Sequence, residues 1–440
     1  MNRTPRRLTA TGALFLFLLA ALPFGETVCG EDWPHWRGPQ RNDHTTEPSG
    51  WVEGEWKLGD VLWERSLGAG SSSPLVVGGK LYSLSHGGGN EYVVALDAAT
   101  GRELWSQSYR APEYGRHSTG DKGLYSGPSG TPEFDSSTGL LYTLGSDGDL
   151  ACWDTAAEGR EVWRKNLHAE YRIPQRPQVG RSGLRDYGYT TAPLVHGDWL
   201  LVEVGAEQGN LIAFEKRTGK EVWRSDAADP PGHCGGMAPM NVDGMACLAV
   251  FTFDHLRVYR LEGERPGTTL GAYPWKTEFA KSIASPAVHE NSVIITAGYN
   301  YDKIIRLDAS REGLRQVWEQ PFHSKVCSPV IHKGYVYWGW EDLYCLDFQT
   351  GELVWRLRAG LSDPGSLILT ADERLIAWGA SGRLFLAETT PRAAKGKILV
   401  ERNLPARSDA WPHAVLAAGR LYCKDRSGTI RCLAIGDAAP

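Results

Sequence analysis

The sequence predicts an all-β chain, an eight-bladed β-propeller of four-stranded antiparallel blades. Its ring is closed by an N-terminal strand, residues 61–67, that completes the last blade. Three observations carry this. First, residues 73–105, SPLVVGGKLYSLSHGGGNEYVVALDAATGRELW, read as four short strands and their turns, and weaker versions recur to the chain's end. Second, one hairpin repeats: LDAATGRELW (96–105), WDTAAEGREVW (153–163), FEKRTGKEVW (214–223), RLDASREGLRQVW (306–318) and LDFQTGELVW (346–355). Third, two fragments complement each other. Val61-Leu62-Trp63 resembles the end of a repeat with no repeat before it, and the last repeat stops at Ile435 without an outer strand. Joining them leaves no seam at which blades could peel apart.

The hairpin has a physical reason at each position. Asp97 caps its own turn through its carboxylate, and Gly101 takes the left-handed conformation that closes a bulged hairpin. Trp105 and its equivalents Trp163, Trp223, Trp318 and Trp355 lie a fixed distance into the outer strand, where an indole buries against the neighbouring blade. Repeats start at Ser73, Ser129, Thr191, Ala238, Ser285, Ser328, Ser366 and His413, at spacings of 38 to 62 residues. Their first strands read SPLV, GTPEF, TAPLV, APMNV, SPAV, SPVI, SLIL and HAVL. The prolines fit an innermost strand with one free edge, and the small residues before them suit a crowded axis. Blades four (Trp275) and seven keep only fragments of the hairpin. Cys152, Cys345 and Cys432 share one place in the third strand and read as small buried core residues.

The chain of 440 residues is too long for one layered core, a limit that repeated small units escape. Residues 1–30 read as a signal peptide: Arg3, Arg6 and Arg7 precede a short apolar core at 12–24, and Val28-Cys29-Gly30 offers a cleavage site. Cys29 is alternatively a lipidation site, so the expected location is the periplasm or cell envelope. No later segment reaches the length of a membrane helix. Residues 31–60, with WPHWRGPQR near their start, form an arm that either plugs against the body or lids one face. The propeller then spans residues 61–436.

Inner SPxV strands followed by xLDxxTGxxxW hairpins resemble the pyrroloquinoline quinone (PQQ)-type propeller repeat. The resemblance covers roughly residues 61–436 and implies eight blades. It includes quinoprotein dehydrogenases and non-enzymatic relatives of the outer-membrane assembly lipoprotein BamB. It does not fix an activity. Quinoprotein alcohol dehydrogenases carry adjacent cysteines beside the quinone, and this chain has none. No residues here match their Glu, Asn and Asp calcium set or a haem-attaching CxxCH. PQQ is thus a candidate cofactor without its expected site residues.

Function belongs in the loops that enter the innermost strands and converge on the channel mouth. The ligand-binding candidates there are Arg116, His117, Arg181, Arg185, His233, Lys281, Lys325, Arg407 and His413. On a chain of net charge -5 they would make a basic mouth for a carboxylated or phosphorylated ligand. Their competing reading is pairing with nearby carboxylates such as Asp186, Asp363 or Asp409. The slight acidity gives no footprint for nucleic acid. No HExxH, GxSxG or GxxxxGK occurs, and no metal spacing or catalytic set is found. Three functions remain: a non-catalytic binding or scaffold protein for another protein or an anionic small molecule, an oxidoreductase holding PQQ or another anionic cofactor, and a carbohydrate- or polymer-binding module suggested by Tyr187, Tyr189 and Trp411.

Overall fold

Tight turns at regular intervals fold each repeat back on itself three times. The computed structural model describes Met1 and residues 30–112, 127–174, 188–230, 233–278, 281–361, 365–389 and 396–436. It contains eight four-stranded antiparallel sheets. Blade 1 comprises Leu75–Val77, Lys80–Gly87, Asn90–Asp97 and Glu103–Arg110. Blades 2 to 7 span residues 133–166, 194–224, 238–274, 287–320, 330–357 and 365–403. Blade 8 takes three strands from 415–435 and its outer strand, Leu58–Ser66, from the other end of the chain. There Trp63 lies opposite Cys432 and Glu64 opposite Arg431. The closing strand starts three residues earlier than the predicted 61–67, because bulges beside Val61 let Leu58 reach Ile435.

The hairpin chemistry is as the sequence implies. Asp97 Oδ1 accepts from the backbone N–H of Ala99 (3.1 Å) and Thr100 (2.9 Å). Asp347 and Glu215 hold the same turn in blades 6 and 3. A bulge then sets the indole: Ala95 faces Tyr82 on one side and Trp105 on the other, with Leu104 left over. Cys152, Cys345 and Cys432 occupy the Ala95 position, each between a Tyr and a Trp. All three are free and fully buried.

The core lies between blades, and the indoles tie it together. Trp63 packs beneath Gly101 of blade 1, Trp105 beneath Gly159 of blade 2, and Trp163 beneath Gly219 of blade 3. Trp223, Trp318 and Trp355 repeat this beneath Gly267, Gly351 and Gly396. A Cβ at Gly101 would lie 2.6 Å from the Trp63 ring, and its φ is +69°, so glycine is required twice over. Trp63, Trp163 and Trp318 also donate their indole N–H to a carbonyl of that neighbouring turn, at 2.9 to 3.1 Å. Blades 4 and 7 depart from the pattern: Gly271 and Val400 stand where the others have Trp. Trp275 is instead buried nearer the channel mouth, donating to Ser282 Oγ at 3.1 Å.

The innermost strands are shorter than the sequence suggested. In blades 1, 2, 3, 5 and 6 they begin after the proline, at Leu75, Glu133, Leu194, Ala287 and Val330. Only Pro239 lies within its strand. The preceding hydroxyl residues have a second task, joining blades around the axis. Ser73 Oγ accepts from His413 N (2.7 Å), Thr131 Oγ1 from Ser73 N, Ser328 Oγ from Ser285 N and Ser366 Oγ from Ala414 N.

Candidate functional site

Two faces bound the axial channel. One carries the turns after the innermost strands; the other carries the mouth loops that enter them. The segment 32–49 enters from the turn face and fills the channel. Asp32 accepts from Gly78 N, Trp33 pairs with Val76 in both directions, and Pro34 O accepts from Phe134 N. Asp43 and Thr45 bracket Leu369, while Glu47 accepts from Ala418 N and Gly419 N. The segment thus bonds to blades 1, 2 and 7 with backbone groups that no strand of its own would satisfy, and to blade 8 through the Glu47 carboxylate.

Its deepest part is Trp36-Arg37. Arg37 is 2% exposed and donates to Pro286 O (3.1 Å), Pro329 O (2.6 Å) and Asp43 Oδ2 (2.5 Å), which joins it to blades 5 and 6. Burial pushes the Asp43 carboxyl up, but the Arg37 guanidinium and His413 outweigh it and hold it below the usual carboxylate range. Trp36 donates to Ser285 Oγ at 2.9 Å, lies 4.2 Å from the His413 ring and packs on Gly235 and Gly236 of the blade 4 mouth loop. Around it, Glu133 is buried and binds Arg41, His35 and Val195 N. The arm is therefore a plug, and its cations are the ones that fill the axis.

The mouth candidates fall into separate places. Lys325 Nζ lies 4.4 Å from the Trp340 ring and 5.6 Å from the Tyr299 ring, cation–π contacts that fix a charge at the rim. His323 sits against the same Trp340, ring centroids 5.2 Å apart, and 3.5 Å from Asp302. The adjoining turn holds Tyr299, Asn300 and Asp302 at positive φ, a strained backbone of the kind found at binding sites. Arg407 pairs with Glu64 of the closing strand at 3.2 Å, whereas Asp409 pairs with Arg426. His413 is 3% exposed and faces Asp43, inside the channel rather than at its mouth. His233 and Lys281 are backbone register partners in a short parallel ribbon that joins the blade 4 and blade 5 mouth loops. Arg116, His117, Arg181 and Arg185 lie outside the described residues.

The sequence did not reveal Trp36, Arg37 and Asp43 as the axial residues, because the arm has no periodicity. Their signal was the density of Trp, His and Arg in a stretch without strand pattern. The described residues do not fit a quinone on the axis. Trp36, Arg37, Asp43 and His413 take that space, and no three His, Cys, Asp or Glu residues among those described gather in a metal-binding arrangement.

A family model described as outer membrane protein assembly factor BamB matches residues 55–127 and 89–357. The dehydrogenase subunit of a quinone-type alcohol dehydrogenase from Gluconobacter oxydans (strain 621H) is 33% identical over 156 residues, 34% of this chain and 18% of that protein. The match thus spans under a fifth of that relative's length. BamB from Moraxella catarrhalis superposes with a TM-score of 0.58 at 14% identity, covering 86% of this chain and 100% of that one. A quinohemoprotein alcohol dehydrogenase from Comamonas testosteroni gives 0.64 at 16% identity, covering 93% and 81%. At these identities the structural likeness establishes the fold alone.

Proposed function

We propose, for this chain, which belongs to the outer membrane protein assembly factor BamB family, the role of an exported, non-catalytic binding or scaffold protein of the cell envelope. The observation that carries this reading is the occupied axis. Where a propeller enzyme needs an open central site, residues 33–45 pack instead, with Arg37 buried between blades. What remains for recognition is the mouth face, whose loops are the least repeated part of the chain. Lys325, His323 and Trp340 supply a charge and an aromatic face there, a combination suited to a protein or small-molecule partner that presents a carboxylate or phosphate.

The test has two arms. Purified protein is titrated with PQQ and calcium while tryptophan fluorescence and dye reduction with alcohols and sugars are followed. The expected result is no saturable binding at high micromolar quinone. Saturable binding with turnover would replace this reading with the oxidoreductase one. In parallel, envelope proteins cross-linked to the chain are compared with those captured by a Lys325→Ala, Trp340→Ala variant. A defined partner, lost from the variant, is expected. An unchanged capture would remove the mouth as the binding face.

A further inference from the structure

Six of the eight seams of the ring are filled by an indole; those between blades 4 and 5 and between blades 7 and 8 are not. Between blades 4 and 5, Gly271 stands at the docking position, opposite Val258. A Cβ there would lie 2.9 Å from Leu314 Cγ and 3.0 Å from Leu314 N, so the next blade's turn packs directly on the blade 4 strand. That turn carries Arg311 toward the outer turn of blade 4. Between them, and beside the inner turn at Asp243, opens a cleft of about 620 Å³ on the face opposite the mouth.

Arg260, Arg265 and Arg311 line it, together with Asp243, Glu262 and Glu264. Among the described residues none of the three guanidiniums meets a carboxylate at ion-pair distance. Arg260 is half-buried, and its Nε is enclosed without any hydrogen-bond partner, which costs free energy until an acceptor arrives. Glu262 is engaged by Ala246 N at 2.9 Å, whereas Asp243 and Glu264 stand exposed. The cleft therefore holds an unsatisfied donor on Arg260 at its inner side, with Arg265, Arg311, Asp243 and Glu264 exposed around it.

We propose that this cleft binds a small zwitterion, a phosphate ester held by Arg260, Arg265 and Arg311, with its ammonium group facing Asp243 and Glu264. Three planar forks exceed what the two oxygens of a carboxylate can accept and match the oxygens of a phosphate. The site shares no residue with the mouth, so it stands or falls separately from the proposed function.

Calorimetric titration of the full chain with O-phosphoethanolamine, inorganic phosphate and ethanolamine tests this. Phosphoethanolamine is expected to bind saturably and more tightly than phosphate, with no binding of ethanolamine. Arg260→Ala and Arg311→Ala, each with an unchanged melting temperature, are expected to weaken it by about tenfold or more. Arg311 is exposed on a turn, so its variant remains informative if Arg260→Ala fails to fold. Co-sedimentation with phosphatidylethanolamine vesicles, but not with phosphatidylglycerol vesicles, would assign the ester to a lipid headgroup; binding of the free ester alone would assign a soluble one. Absence of saturable phosphoethanolamine binding, equal affinity for phosphate, or binding that survives both substitutions would overturn the proposal.

Discussion

The seam between blades 8 and 1 and the seam between blades 4 and 5 are opposites. The first adjoins the break in the ring: Leu58–Ser66 runs on into blade 1 but is joined to Thr429–Ile435 of blade 8 by strand pairing alone. It nevertheless carries the full docking set. Trp63 lies beneath Gly101 and donates to Ala98 O at 3.1 Å, and Tyr422 donates to the same carbonyl. Lys424, fully buried, reaches across to Ser72 O (2.8 Å), Ser83 Oγ (3.0 Å) and Leu84 O (2.9 Å) of blade 1. The second seam lies away from that break and has lost its indole to Gly271. Docking is thus complete beside the break in the chain, whereas a seam away from it can lose its indole without opening the ring. Beside this second seam lies the cleft lined by Arg260, Arg265 and Arg311.

The largest effect expected from this contrast is on deletion of residues 58–66. Blade 8 would then expose the edge of Thr429–Ile435, and blade 1 would lose the indole beneath its turn. Loss of a single cooperative melting transition is expected by calorimetry. A variant melting as sharply as the full chain would mean that closure is dispensable. Trp63→Ala comes next. Removing a buried indole costs about 3–5 kcal/mol, seen as a lower denaturant midpoint at constant slope. Shaving Leu314 to Ala at the second seam should cost clearly less, because that side chain is only partly buried.

Lys424 gives the contrast a pH signature. Burial pushes its ammonium down to about 7, against the opposing Asp425 carboxylate. In the unfolded chain the group titrates near 10.4. Below about pH 7 both states are protonated and the burial penalty is constant. Between pH 7 and 9 the unfolded state binds the extra proton, so stability rises with pH, by about 2 kcal/mol from this group. Denaturation midpoints at the two pH values should show that rise in the native chain and a flatter profile in Lys424→Met. Equal slopes would mean that the lysine keeps its ordinary charge state at the seam.

What could be read in advance follows the same division. The hairpins were legible because Asp97, Gly101 and Trp105 act within a few residues of one another, and turn chemistry is local. Ring closure was legible because two incomplete repeats were visible at once. The plug was not legible as such: Arg37 meets Pro286 and Pro329 only after the ring has formed, and no local pattern encodes a contact across some 250 to 290 residues. The cleft was hidden for a related reason. Its lining joins two turns of blade 4 to Arg311 of blade 5, and no local pattern encodes that convergence.

The smallest expected effect separates the turn from the indole that rests on it. Asp97 is half-buried and accepts from Ala99 N, Thr100 N and Thr100 Oγ1, so Asp97→Ala should cost about 1 kcal/mol. The hydrogen bond from Thr100 holds its carboxyl below the usual range, and that small contribution fades as pH falls through the folded pKa. Yet the same turn presents Ala98 O and Gly101 to Trp63. If the turn serves mainly to seat the indole, the double variant Asp97→Ala, Trp63→Ala should lose less than the sum of the single losses, with a coupling of about 0.5 kcal/mol or more. In blade 6 the Asp347 turn seats Trp318 in the same way, at a seam away from the break in the ring. A similar coupling there would make seating a property of the repeat. Coupling confined to Asp97 and Trp63 would make it a property of closure, and strict additivity at both would mean that the turn and the indole stabilise the ring independently.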